Sequence, residues 1–428
     1  MRIHIQGGRV LDPANDVDAQ RDVYIADGRI LAVGDAPKGF NSDRVINARG
    51  HIVCPGLIDM QARLREPGNE HKGTILSETR AAAAAGITSL CCPPDTLPVV
   101  DTPAVAELIY ERALTAGYAK VLTLGALTKG LEGTLIAEMK ALLDVGCVGV
   151  SNAWRPITNT LVMRRAMEYA ATFDLPVFLH AEDPYLHAGG CAHEGAISTR
   201  LGLGGIPEIA ETIAVARDLA LVEETGARAH FCQLSTARGM DMVLAAQARG
   251  LPVTADVSIH HLHLTEMDIG DYNALCHVRP PLRTQRDRDG LRRAILRGVA
   301  VCSAHQPHEP DAKAGPYAET EPGIAGLESL LPLTLRLVDD GVCTLLEALA
   351  SLTVRPARIL GVSSGSLSVG ADADVCIFDP QREWRLADQD QMLSHGRNTP
   401  FFHWDLRGQV THTLLNGRVV YTATAQPA

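Results

Sequence analysis

The chain has 428 residues, 46% hydrophobic and 21% charged, which suffices for a large core but is too long for one ordinary domain unless that domain is a barrel. Its 39 basic and 50 acidic residues leave a net charge of -11, with no Lys/Arg-rich run to neutralise successive phosphates, so no nucleic-acid partner is expected. No apolar run reaches the length of a membrane span and the start, MRIHIQGGRVLD, has no apolar signal core; a cytoplasmic protein without a membrane partner is expected. The ten cysteines are scattered and the one close pair, Cys91 and Cys92, is adjacent rather than spaced as C-x-x-C, which favours buried thiols over disulfides or a zinc site.

In chain order, RIHIQGGRVLD, DVYIADGRILAVG and RVINARGHIVCPG read as short strands joined at Gly-Gly and Asp-Gly turns. Alternating strands and helices follow. Strands are predicted at 56–62, 87–92, 119–126, 147–152, 176–180, 228–233, 252–257 and 299–303. Helical segments between them include SETRAAAAAG, TPAVAELIYERALTAG, LIAEMKALLDVG, TLVMRRAMEYAATFD and PEIAETIAVARDLALVEETG, several closing on glycine. Eight strands with crossover helices are what a closed (β/α)8 barrel requires, although the periodicity also admits an open sheet. The tail, GSLSVGADADVCIFDP and GQVTHTLLNGRVVY, is strand-rich again and turns at Asn416-Gly417. The expected division is 1–54 and 359–428 as two parts of a small β-sandwich, with 55–358 as the barrel.

A parallel barrel does its chemistry at the C-terminal ends of its strands. There PGLIDMQARLREPG places Gln61 and Arg63 at period two, both facing the axis. Ala153 follows strand four, His180 ends strand five, Gln233 ends strand six, and Ala304 with His305 ends strand eight. These phrases, with GVSNAWRPITNTLVMRRAMEYA, LHAEDP, EGAISTRLGLGGIPEIAE, QLSTARG, PPLR, AHQPHEPD, GIAGLESLLPL, VGADADVCIFDP and NTPFF, resemble the dihydroorotases of the amidohydrolase superfamily over nearly the whole chain. The resemblance implies a (β/α)8 TIM-type barrel flanked by a β-sandwich from both termini. It also implies a zinc centre that activates water. The ligands would be a His-x-His after strand one, an acidic residue or modified lysine after strand four, histidines after strands five and six, and an aspartate after strand eight that also handles the proton.

The matching positions here are Gln61 and Arg63, Ala153, His180, Gln233 and Ala304, so only His180 is retained. A methyl group donates no electron pair to zinc. A protonated guanidinium about 4 Å from a dication would cost roughly 8 kcal/mol at an effective dielectric of 20. With the strand-eight carboxylate gone, the general base goes too. Among positions that the resemblance assigns to substrate, Arg65, His308 and Gly323 remain, while Asp95 and Arg279 replace expected asparagines. Asp95 is expected to repel an anionic substrate, and Arg63 to pair with Glu182 or another internal acid.

These readings lead to a catalytically inactive dihydroorotase-like chain with no metal and no cofactor. It resembles bacterial chains of this kind that associate with aspartate carbamoyltransferase in pyrimidine biosynthesis, so the expected partner is the carbamoyltransferase catalytic chain in a hetero-oligomer, with self-association also open. Two alternatives stand beside it. One is an active zinc-dependent cyclic amidohydrolase with a mononuclear or relocated metal, at His180 or among His260, His261 and His263, which on a strand would put His261 and His263 on one face together with His230, His305 and His308 nearby. The other is a sensor that binds a carboxylate through Arg65 and His308 without turnover. Nucleophilic roles for Cys91, Cys92, Cys232 or Cys302 are disfavoured by their apolar strand settings.

Overall fold

The computed structural model describes residues 1–386 and 391–423. β1 (Arg2–Asp12), β2 (Val17–Ala26) and β3 (Arg29–Val33) form an antiparallel meander, and β4 (Arg44–Asn47) and β5 (Ile52–Pro55) run parallel to β1 along different halves of it. The two halves separate at a bulge between Ile5 and Gly8, where Gly7 takes φ +74°, a conformation that costs glycine little. Asp27 (φ 50°) and Gly28 (φ 77°) make the tight turn between β2 and β3.

The barrel strands are β6 (Leu57–Asp59), β7 (Ile87–Cys92), β8 (Lys120–Ala126), β9 (Gly149–Ser151) and β10 (Val177–Leu179), then β13 (Ala229–Phe231), β14 (Val253–Ser258) and β15 (Ala300–Cys302). Between β10 and β13 a two-stranded pair, β11 (Ala192–His193) and β12 (Gly205–Ile206), braces the long loop. Neighbours are parallel and in sequence order from β6 to β15, and a parallel bridge between Ala62 and His305 closes the ring. The chain is thus a (β/α)8 barrel, and the open sheet that periodicity admitted is excluded. The strands are apolar on both faces, as expected of strands covered by helices; all six residues of β7 are buried.

The connecting helices include α1 (Ile75–Ala84), α2 (Pro103–Ala116), α3 (Met139–Asp144), α4 (Thr160–Thr172), α5 (Pro184–His187), α6 (Ala196–Leu201), α7 (Ile209–Thr225), α8 (Ala237–Ala248), α9 (Gln285–Ile295) and α10 (Leu327–Asp339). Thr74 caps α1 and Asn159 caps α4, while Gly117 and Gly226 end α2 and α7 in the left-handed conformation. The helix expected over LIAEMKALLDVG is shorter, because Ile136 bridges back to Thr128 and only Met139–Asp144 coil.

β16 (Val375–Arg385), β17 (Asp405–Leu415) and β18 (Arg418–Thr422) return to the terminal sheet, where β16 pairs antiparallel with β5. Ile3, Ile5, Val23, Ile25, Val53, Val375, Ile377 and Leu414 share its core, so the two ends of the chain bury one apolar face together. Lys120 at the start of β8 reaches Asp372 (2.8 Å) and Asp374 (2.6 Å), and the Thr413 hydroxyl donates to Ala83 O, which tie this sheet to the barrel. Among the described residues no helix is long and apolar enough to cross a membrane.

Candidate functional site at the barrel mouth

Gln61, Arg63, Ala153, His180, Gln233 and Ala304 all lie at the C-terminal ends of the barrel strands. Beyond β6 the backbone continues in barrel register: Ala62 N donates to Cys91 O, Arg63 N to His305 O and His305 N to Gln61 O, each at 3.0 Å. Three of the six residues are left-handed without being glycine, Ala153 at φ 49°, Gln233 at 52° and Ala304 at 50°. Buried side chains hold these turns. Ser151 Oγ accepts from Ala153 N (3.0 Å), Asp256 Oδ1 accepts from Gln233 N (2.6 Å), and Asp59 accepts from both the amide and the hydroxyl of Ser303. Burial pushes the Asp59 carboxyl up to about 6 against those hydrogen bonds.

Two ion pairs and one indole fill the mouth. Arg63 is only 5% exposed and donates through Nε (3.0 Å) and Nη2 (2.8 Å) to Asp95 Oδ2. Its guanidinium carbon sits 4.1 Å from the centre of the Trp154 ring, and that of Arg279 lies 5.6 Å from the same centre. Arg279 grips Glu182 through Nε (3.0 Å) and Nη2 (2.9 Å), and His180 Nε2 lies 3.2 Å from the same carboxylate. Arg63 therefore pairs with Asp95, not with Glu182 as expected from sequence; Arg279, beyond β14, takes Glu182. Asp95 is likewise neutralised by Arg63 rather than presented to an incoming anion.

The residues expected to hold substrate are turned toward protein. Arg65 donates to Pro307 O (3.0 Å) and approaches His308 Nε2 (3.2 Å), whose other nitrogen lies 3.3 Å from Lys72 Nζ. Burial, then the charges of Arg65 and Lys72, pushes the His308 imidazole down to about 2; burial, then Arg63, lowers Arg65 to about 10. Gly323 has φ 141°, and a Cβ there would meet Gln306 Cγ at 2.6 Å. Its carbonyl and that of Gln306 accept from Asn398 Nδ2. A crevice lined by Arg63, Arg65, Asn69 and Asp95 measures about 10 Å³, room for one water rather than for a pyrimidine ring.

His260, His261 and His263 do not lie on a strand. They follow β14 in and just after a 3₁₀ turn: His260 (3.2 Å) and His261 (2.5 Å) share Ser258 Oγ, His261 also meets Pro281 O, and His263 lies against Leu333 O (2.9 Å). Burial pushes His261 and His263 down to about 4. His305 points away from the axis to Glu78 (2.9 Å). The group of metal-capable side chains within mutual reach among the described residues is instead His230, Cys232 and Asp256, deeper on strands six and seven. His230 already contacts Thr254 Oγ1 (2.8 Å) and Asp256 Oδ2 (3.0 Å). Burial raises the Cys91, Cys232 and Cys302 thiols well above their ordinary value and Cys92 to about 12, the opposite of nucleophile activation.

Zinc does not fit the strand-end centre: Ala153 and Ala304 offer no lone pair, Arg63 brings a cation to it, and His180 is the one imidazole among the six residues. Trp154 and Asp256 escaped the sequence reading. Trp154 had a signal, since SNAW directly follows strand four at a strand end; Asp256, inside VTADVS, had none beyond an acid in an apolar strand.

Burial raises Glu182, but His180 and Arg279 more than reverse it and hold the carboxyl at about 2, down from 4.5. A lowered folded-state value stabilises the protein above pH 4.5, and that stabilisation is lost as pH falls toward 2; a shift of this size corresponds to about 3 kcal/mol. The unfolding free-energy gap between wild type and Arg279→Met is expected to be greatest above pH 4.5 and to shrink toward pH 2 in urea titrations. A gap independent of pH would contradict the pairing.

Two family models match, one described as Dihydro-orotase-like over residues 50–239 and one as Amidohydrolase family over 205–421. A Dihydroorotase-like protein of Pseudomonas putida is 52% identical, covering 98% of this chain and 99% of the relative, and one of Pseudomonas aeruginosa is 51% identical, covering 98% and 100%. A Dihydroorotase of Syntrophotalea carbinolica is 44% identical, covering 98% and 99%. Among solved structures, L-hydantoinase from Arthrobacter aurescens superposes with a TM-score of 0.87 at 22% identity, covering 97% of this chain and 95% of that one, which supports the fold. With the barrel closed, the strand ends placed and these relatives matched end to end, the chain belongs to the dihydroorotase-like amidohydrolases.

Proposed function

We propose that this chain is a catalytically inactive dihydroorotase homologue that acts as a structural subunit, supporting assembly and activity of aspartate carbamoyltransferase in pyrimidine biosynthesis. The observation that carries the first half is the refilling of the strand-end centre: Arg63 with Asp95 and Arg279 with Glu182 occupy the mouth, and no carboxylate stands at position 304 to accept a proton. The 52% and 51% relatives are named Dihydroorotase-like protein and the 44% relative Dihydroorotase. The partner rests on the resemblance to bacterial dihydroorotase-like chains with altered zinc sites that associate with the carbamoyltransferase catalytic chain.

The rival reading, an active enzyme with a relocated metal, finds support in His230, Cys232 and Asp256. It is weaker because both His230 nitrogens are already engaged, with Thr254 and Asp256. Metal analysis of the purified chain and a dihydroorotase assay with added zinc separate the two. The expected result is substoichiometric zinc and no turnover; stoichiometric zinc with turnover abolished by His180→Ala or Cys232→Ala would sink the proposal. Co-expression with the carbamoyltransferase catalytic chain is expected to give a co-eluting hetero-oligomer, and transferase assembly that is indifferent to this chain would remove the partner.

A further inference from the structure

Lys313 stands apart from the other lysines of this chain. Of the six, Lys72, Lys120, Lys129 and Lys140 each meet a carboxylate, and Lys38 is exposed to water. Lys313 is half-buried, yet no carboxylate among the described residues comes within ion-pair distance of it. Its Nζ donates instead to two main-chain carbonyls, His277 O (3.2 Å) and Glu321 O (2.6 Å). Glu321 offers only that carbonyl, because its carboxylate grips Lys72 through both oxygens at 2.6 Å. Two acceptors match the two N–H bonds of a neutral amine and leave its lone pair free for a third direction.

A cavity of about 310 Å³ lies beside this amine, lined also by Leu275, His308, Glu309, His395 and Arg397. That is room for a small acyl group with its leaving group. Burial pushes Lys313 down to about 7, against Cys276 and Glu321, which raise it. Burial also holds His277 at about 4 and His308 at about 2, so neither imidazole is charged near pH 7. A lysine in this setting is a nucleophile rather than a fixed cation.

We propose that Lys313 is an acyl-acceptor site, whose Nζ takes a small activated acyl group, from an acyl phosphate or a thioester, seated in this cavity. The amine lone pair forms the new C–N bond. The bond from the acyl carbon to the phosphate oxygen or the sulfur breaks, its electron pair leaves with that group, and one amine proton follows. The amide keeps one N–H for a carbonyl and carries no charge, which suits a half-buried position. Lys313 joins the segment after β14, which carries Arg279, to the segment after β15, which carries His308. Acylation removes one of its two ties and loosens these segments from each other.

Acetyl phosphate added to the full chain at pH 7, with peptide mass spectrometry of all six lysines, tests the site; an acetyl thioester in a second arm tells which donor serves better. At that pH about half of Lys313 is neutral, against about one in 2,500 of an ordinary lysine. Lys313 is expected to be acetylated at least about tenfold faster than Lys38, with a rate that levels off above pH 7 while that of Lys38 keeps rising toward pH 10. Leu275→Trp, which narrows the cavity, is expected to slow Lys313 several-fold and leave Lys38 unchanged. Acetylation of Lys313 no faster than that of Lys38, or parallel pH profiles for the two, overturns the proposal, and the wild-type chain alone gives that answer. Labelling indifferent to Leu275→Trp overturns the seat in the cavity. Neither failure touches the non-catalytic reading, since no residue of the strand-end centre takes part.

Discussion

Replacing Glu78 with alanine is expected to cost about 3–5 kcal/mol, the largest effect of any single substitution considered for this chain. Glu78 and His305 are both fully buried, 2.9 Å apart. The same carboxylate accepts from Ser394 Oγ (2.6 Å), Ser77 Oγ (2.7 Å) and His395 N (3.0 Å). Burial works against the ionised form, yet those donors, His305 foremost, keep the Glu78 carboxyl below its ordinary value. One side chain thus joins α1, the end of strand eight and the segment leading into the terminal sheet. Alanine leaves several buried donors unpaired at once. Urea denaturation should show a lower midpoint, with the barrel closure at Ala62 and His305 losing amide-exchange protection first; a midpoint within error of wild type would show that the network carries little.

Arg63→Ala is the second large effect, expected at about 3 kcal/mol. It strands the Asp95 carboxylate, removes the cation from the Trp154 face and leaves a cavity beneath the mouth. The double variant Arg63→Met/Asp95→Leu fills similar volume without charge and is expected to recover most of the loss, because replacing both partners avoids the unpaired ion. Denaturation of wild type, Arg63→Met, Asp95→Leu and the double variant gives the coupling directly. A double variant no better than Arg63→Ala would mean that stacking on Trp154, rather than the ion pair, dominates.

Local chemistry made much of the fold legible. Asp27-Gly28 and Asn416-Gly417 announce their turns because few residues tolerate positive φ in sequence, and both pairs adopt it. The eight barrel strands announce themselves as apolar runs, since helices cover one face and the axis the other. The strand-end positions were readable because strand ends have fixed spacing relative to those runs. Pairing was not. Which carboxylate meets Arg63 depends on how loops after strands one and two fold over the mouth, and Asp95 and Glu182 are equivalent in sequence terms. The three histidines near 261 misled for a related reason: periodicity continues a strand through SIHHLHL, but the chain tightens into a 3₁₀ turn once Ser258 Oγ meets His260 and His261.

The left-handed turns at Ala153, Gln233 and Ala304 bear on what building a metal-binding centre at this mouth would require. Each costs a non-glycine residue about 1–3 kcal/mol, and each is held by buried neighbours rather than by the side chain that stands there. The directions in which Cβ atoms leave the main chain at these positions are therefore preset, whatever the residue. Installing ligands at these positions would need new side chains and no new backbone. The obstacle is the order of steps: changing Arg63 first strands Asp95, and changing Asp95 first strands Arg63. The Arg63–Asp95 pair works as a latch on an intact frame, since replacing either partner alone lowers stability.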